Sequence, residues 1–308
     1  MLLVPGRKIL VRAAIYASVA TVLLLASGAS MGARAVQATA RKVYVSVLDK
    51  AGAPVKDMTA AEFEVKENGK VMTANVQPAT NPLRVTLIVA DGGLGIYQGA
   101  AGAFMDRIKA NAELKVVDVA EQPIVVADYT SDVPKLSAAV QGLSRRAANR
   151  KPGQVMEAVM AATKDIAVEG KRSVVVVMRV GGEATSTLRA SNVREAMRKA
   201  GVKLYVVSPV GTGGMGMTKS MKGDDAESSE QIAEINALLE DGSRETGGRH
   251  DQFAAANLAK TVQALADELL SQYEISYTLP EGTKPSDKLQ VTTKRKDVKV
   301  YAASKIAN

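Results

Sequence analysis

One strand that ends in an acidic, glycine-rich turn constrains the fold of this chain more than any other feature. In the segment RVTLIVADGGLG, residues 84–95, Val85, Leu87 and Val89 alternate with Thr86, Ile88 and Ala90, so both faces are predominantly apolar. That pattern is typical of a parallel strand covered on both sides. Asp91 and three glycines follow, which places them at the carboxyl edge of an open α/β sheet, where such folds bind ligands.

Helical and extended patterns alternate after this strand. Residues 114–119 and 124–129 are predicted to form a hairpin, because the turn between them is too short for a crossover helix. Further strands are predicted at 173–178 and 202–207. Helices are predicted at 96–111, 134–143, 155–166, 190–200, 232–239 and 258–269. This alternation predicts a Rossmann-like, doubly wound, mostly parallel α/β sheet with an antiparallel edge.

Short extended segments flank the α/β region on both sides. Near the N-terminus, Thr59-Ala-Ala-Glu62 forms a capping box, and Asn68-Gly69 between extended segments predicts a hairpin. Alternation returns at residues 273–279, 289–293 and 298–300. Neither set has enough strands to be stable alone. We therefore expect a small β domain built from residues 41–82 and 272–308, with the α/β domain, residues 83–271, inserted between them.

The first 40 residues have the pattern of an export signal. Arg7, Lys8 and Arg12 precede the apolar stretch Ala13–Ala26, and small residues beyond it offer cleavage near Ala33 or Ala38. An uncleaved N-terminal membrane anchor is the alternative, because the apolar run contains no acidic residue. Either interpretation predicts an exported protein, periplasmic or secreted.

Composition excludes several classes of function. Of the net charge of +8, four charges belong to the first 40 residues, which leaves +4 for residues 41–308 and no footprint for nucleic-acid binding. The chain has no cysteine, and His250 is its single histidine. Thiolate chemistry is therefore impossible and histidine chemistry rests on one residue, which predicts a protein that is not an enzyme. With no partner motif, His250 is expected to be a satisfied histidine of the core or surface.

Three segments carry a resemblance to a known family. They are VYVSVLDKAGAPVKDMTAAEFEVKENGK, VREAMRKAGVKLYVV, and LLEDGSRETGGRH together with ADELLSQYEISYTLP. On these motifs the chain resembles the VWFA-related family of exported bacterial proteins, a branch of the von Willebrand factor type A (VWA) domains. The resemblance covers nearly all residues after the signal. It implies a Rossmann-like domain with a metal-ion-dependent adhesion site, in which Asp-x-Ser-x-Ser, a distant Thr and a distant Asp hold Mg²⁺.

The metal ligands that the resemblance implies are mostly missing. Asp91 matches the first Asp, but Gly93 and Gly95 stand at the two serine positions, Gln154 at the threonine and Val180 at the second Asp. Mg²⁺ requires about six oxygen ligands in octahedral geometry, and one carboxylate does not provide them, even if Glu183 turned toward the site. We therefore expect no metal and no cofactor.

The candidate binding surface is the rim formed by loops at the carboxyl ends of the strands. Apolar contacts from the Gly/Met-rich loop, residues 211–227, would bind a protein partner in the cell envelope. The candidate residues are Asp91, Gly93, Gly95, Gln154, Glu183, Met215, Met217 and Met221.

Other interpretations of the same residues remain open. Asp91 could cap the next helix or bind loop amides, and Gly247 and Gly248 could end a helix rather than bind phosphate. Polyanion or membrane-surface binding through Arg145, Arg146, Arg150 and Lys151 is one alternative function. A hydrolase that uses the carboxylates of Asp91, Glu183 and Asp224 is another.

Overall fold

The structure, a computed structural model, describes residues 40–91, 95–119, 122–143, 153–180, 186–210, 225–281 and 283–307. Its strands are β1 Ala40–Asp49, β2 Phe63–Glu67, β3 Lys70–Met72, β4 Ala74–Pro78, β5 Leu83–Ala90, β6 Ala112–Val119, β7 Pro123–Thr130, β8 Arg172–Arg179, β9 Lys203–Pro209, β10 His250–Phe253, β11 Tyr273–Thr278, β12 Leu289–Thr293 and β13 Val298–Tyr301. Its helices are α1 Gln98–Ile108, α2 Val133–Gly142, α3 Val155–Asp165, α4 Ala190–Ala200, α5 Asp225–Asn236, α6 Ser243–Glu245 and α7 Leu258–Leu270; a π-helix, Ala237–Gly242, joins α5 to α6.

Six strands form the large sheet in the order β10-β9-β8-β5-β6-β7. All neighbouring pairs are parallel except β6 and β7, which are antiparallel. The predicted Rossmann-like α/β fold with an antiparallel edge is therefore confirmed, and β5 lies inside the sheet as its two-sided apolar pattern requires.

Alternate residues of β5 supply two separate cores. Leu83, Val85, Leu87 and Val89 pack with α1, α2 and α7 on one face. Ile88 and Ala90 pack with α3, α4 and the π-helix on the other. Helix α4 ends at Gly201, whose φ of 63° is left-handed, as the sequence predicted for a glycine cap.

The remaining strands form two small antiparallel sheets, in the orders β13-β1-β11-β4 and β12-β2-β3. Strand β1 pairs with both β11 and β13, so strands from the two ends of the α/β region share one sheet. Apolar side chains from both sheets form one core that includes Val45, Val65, Ile275 and Val291. At the predicted hairpin, Asn68 and Gly69 both have positive φ, 49° and 78°, which fits a two-residue turn between β2 and β3.

Close approach of backbone segments requires glycine at two positions. A Cβ on Gly248 would lie 1.9 Å from the carbonyl oxygen of Leu204, and one on Gly247 would lie 2.3 Å from the amide nitrogen of Ala303. The Gly248 amide donates to the Ser243 carbonyl, 2.9 Å, and Gly247 has a φ of 77°. These glycines end the helix, as one interpretation predicted. Because they have no side chain, they also allow the backbones of β9 and the C-terminal tail to approach closely.

Candidate functional site

Asp91 follows the last residue of β5 and is buried, with 2% of its surface exposed. It lies at the carboxyl edge of the sheet, where the sequence predicted the binding rim. Tyr97 occupies the N-cap position of α1, and its side chain makes no capping hydrogen bond.

A second charged residue, Arg179, lies at the same edge. It is the last residue of β8 and pairs in register with Ala90, the residue before Asp91. Burial lowers the pKa of the Arg179 guanidinium. The two charges therefore lie at the ends of adjacent strands, one acidic and one basic.

Tyr97 lies against both charges. Its ring is fully buried, and its hydroxyl donates to the carbonyls of Arg179, 2.8 Å, and Val207, 3.2 Å. Burial raises the pKa of the Tyr97 hydroxyl, the Asp91 carboxylate raises it further, and Arg179 lowers it. This tyrosine ties the chain after the glycine turn to the ends of β8 and β9.

Two more of the predicted rim residues have described positions. Gln154 is at the N-cap position of α3 and makes no side-chain cap, although its carbonyl accepts from the Ala158 amide at 3.1 Å. Gly95 has a φ of 68°, a left-handed conformation that favours glycine. The other predicted residues lie outside the described part: Gly93, Glu183, Met215, Met217 and Met221, with Asp224, Arg145, Arg146, Arg150 and Lys151 of the alternatives and all of residues 1–39.

Within the described ranges no three His, Asp or Glu side chains come together in a group that could hold a metal ion. At the ends of the two strands beside β5, the structure adds a cation, Arg179 on β8, and a buried carboxylate, Asp118 on β6.

The single histidine is the middle member of a hydrogen-bonded chain of three side chains. Ser208, near the end of β9, lies 2.6 Å from His250 Nε2, and Glu240 Oε1 lies 2.5 Å from Nδ1. Glu240 belongs to the π-helix, a wide turn that is rare in proteins and frequent at functional sites. The order Ser, His, acid is that of an acyl-transfer triad.

Accessibility argues against that chemistry. Ser208 is 7% exposed, so little of its surface is open to an incoming carbonyl group. The contacts instead fasten the π-helix and β10 to β9, and His250 is satisfied on both nitrogens, as the sequence analysis expected. Ser208 and Glu240 could not be recognised as partners of His250 from the sequence, because they lie 42 and 10 residues away from it.

None of the helices in the described ranges is long and apolar enough to span a membrane.

Comparison with known proteins gives similarity in structure only. No family model matches the chain, and no curated protein matches it. Solved structures that are similar include an aerotolerance-related membrane protein from Bacteroides fragilis (14% identity, 61% of this chain, 98% of the other, TM-score 0.43). They also include the BatB protein from Bacteroides thetaiotaomicron (16%, 61%, 97%, TM-score 0.42) and manganese-loaded TRAP protein from Plasmodium vivax (12%, 75%, 97%, TM-score 0.42). Similarity at this level concerns the fold alone.

Proposed function

We propose that this chain is an exported, VWA-like protein-binding module that works without a bound metal and without catalysis. Its binding surface is the rim at the carboxyl edge of the large sheet, and its partner is a protein of the cell envelope. The observation that carries the proposal is Arg179 at the end of β8, in register with the residue before Asp91.

In the metal-dependent site that the family resemblance implies, a cation completes the contact with an acidic partner residue. In this chain Arg179 ends the strand beside β5, in register with Ala90, and glycines replace the serine ligands. Recognition then depends on backbone amides of the glycine turn and on apolar contacts from Met215, Met217 and Met221. Flexible thioether side chains adapt to irregular protein surfaces.

Site-specific photo-crosslinking tests the location of this surface. A benzophenone amino acid is placed at Gln154 on the rim or, as the matched control, at Lys70, an exposed residue of β3. In intact cell envelopes we expect a discrete crosslinked partner from position 154 and none from position 70. The crosslink should persist in EDTA.

A second variant tests the apolar contacts. Replacing Met215, Met217 and Met221 together by Ser should reduce the crosslink from position 154 at least fivefold, because this change removes three apolar contacts of roughly 1 kcal/mol each. The melting temperature checks that the fold is retained. Crosslinking that requires Mg²⁺, or that comes from position 70 instead of 154, would contradict the proposal.

A further inference from the structure

A basic cavity lies at the opposite edge of the large sheet from Asp91. Its volume is about 570 Å³, and it is lined by β1, the start of β8, the end of α4, the start of β9 and the C-terminal tail. Eight lining residues are Lys or Arg, and Glu169 is the acidic lining residue. Since residues 41–308 carry a net charge of only +4, this is a local concentration of positive charge.

Most of the cations around the cavity have carboxylate partners. Lys42 pairs with Glu274 at 3.1 Å, and Lys199 with Glu195 at 2.8 Å. Both lysines are exposed, and the Lys199 pair lies wholly at the surface, where an ion pair contributes little and a ligand can replace it. The outer cations are therefore available to a bound anion at low energetic cost.

Two cations at the floor of the cavity differ from the others. Arg172 is 4% exposed and Lys203 is 7% exposed, and neither forms an ion pair within the described ranges. Arg172 donates to the Asn81 and Leu269 carbonyls and to Gln272 Oε1, all neutral acceptors, at 2.7 to 3.0 Å. Buried charges in proteins are normally paired.

Of these two cations, Lys203 has fewer of its hydrogen-bond donors satisfied. Its ammonium group has three N–H donors, and the hydrogen bond recorded for it is a long one, 3.3 Å to the Gly247 carbonyl. Burial lowers the pKa of Lys203 to about 7. A lysine in this position is destabilising while it is charged, and a bound anion would reduce that cost.

We propose that this cavity binds a small anion that carries more than one phosphoryl group, with Lys203 and Arg172 at its floor. The volume lies in the range of small-molecule sites, roughly 300 to 1,000 Å³. Arginine forks match phosphate geometry, and several lysines around them suit a ligand with multiple charges. The site is separate from the rim of the proposed function, so either can be correct without the other.

Isothermal titration of the full chain with inorganic pyrophosphate at 0.15 M NaCl tests the proposal. We expect saturable binding with one site. Lys203→Met should weaken it at least tenfold, and Lys199→Gln, at the mouth, about threefold. Lys70→Met removes the same type of residue from an exposed strand and should leave the affinity unchanged. Circular dichroism confirms that each variant folds.

Proton linkage gives a readout that loss of packing does not produce. The Glu268 carboxylate favours the charged form of Lys203, whereas the positive charge of Arg172 opposes that form. A bound anion adds to the first effect, so at pH 8 the proton uptake per pyrophosphate should be larger in wild type than in Lys203→Met by close to one proton. Titration of both proteins in two buffers of different ionisation enthalpy measures this difference, from which protons released by pyrophosphate itself cancel.

Three results would overturn the proposal. One is no binding of pyrophosphate, or binding that Lys203→Met leaves unchanged. Another is equally tight binding of citrate, which would assign the cavity to carboxylates. The third is binding to phosphatidylglycerol vesicles without binding of pyrophosphate, which would assign these cations to a membrane surface.

Discussion

Replacing Lys203 by Met should stabilise this protein in acid and neutral solution. The two side chains have similar length, and the change removes a buried ammonium group with one long hydrogen bond to a carbonyl, 3.3 Å. The gain in the free energy of unfolding must be largest at pH values where Lys203 is charged in the folded state. It must be smaller at pH values where the folded state holds Lys203 neutral.

The magnitude follows from the pKa of Lys203, which burial lowers from 10.5 to about 7. Below pH 7 Lys203 is charged in both the folded and the unfolded state. Burial of that charge then costs about 5 kcal/mol, since each pKa unit of the shift corresponds to about 1.36 kcal/mol. Between pH 7 and 10.5 the unfolded state binds more protons, so wild-type stability rises with pH and the penalty falls to about 2 kcal/mol at pH 9. Loss of the hydrogen bond to Gly247 reduces the gain by about 1 kcal/mol.

Urea unfolding at pH 6 and pH 9, in buffer without phosphate, measures this difference. The free energy of unfolding of Lys203→Met should exceed that of wild type by about 4 kcal/mol at pH 6 and by about 1 kcal/mol at pH 9. Lys70→Met, the exposed control, should match wild type at both values. An advantage that is the same at both pH values, or a destabilised Met variant at pH 6, would refute the assignment of a depressed pKa to Lys203.

Three further predictions concern other parts of the molecule. The melting temperature should not respond to millimolar Mg²⁺, Mn²⁺ or chelator; an Mg²⁺-dependent rise that Asp91→Ala abolishes would show a functional metal site. A fluorophosphonate probe should not label Ser208, which is 7% exposed, and labelling that disappears in His250→Gln would show catalysis. Tyr273→Phe should lower the free energy of unfolding by about 1 to 2 kcal/mol, because its hydroxyl bonds two backbone groups of the 55–58 segment at 2.9 and 3.0 Å. Tyr301→Phe is the matched control, and equal losses in the two variants would contradict that reason.

Elements with strong local signals could be predicted from the sequence. Strand β5 has apolar residues on both faces, and Asn68-Gly69 supplies the two left-handed residues that its hairpin turn requires. In contrast, β10 has the sequence HDQF and no strand pattern. It forms because it pairs with β9, and because Ser208 and Glu240 hold His250.

The candidate sites were less predictable than the fold. Asp91 was found because it ends a recognisable strand. Arg179 was missed, although a charged residue at the end of the valine-rich β8 is a signal of the same kind. The basic cavity could not be predicted, since its cations come from separate parts of the chain, from Arg41 to Lys305, and meet only after folding.

The shared sheet at the two ends of the chain has a consequence for biosynthesis. Strand β1 pairs with β11 and β13, more than 220 residues later, so its hydrogen-bonding groups stay unpaired until the last part of the chain is available. Pairing over such distances is slow. A newly made chain therefore stays without its terminal sheet until synthesis is nearly complete, a state that is compatible with the export proposed above. The same delay leaves an open strand edge for aggregation, which predicts that this protein depends on a holding chaperone before it reaches its destination.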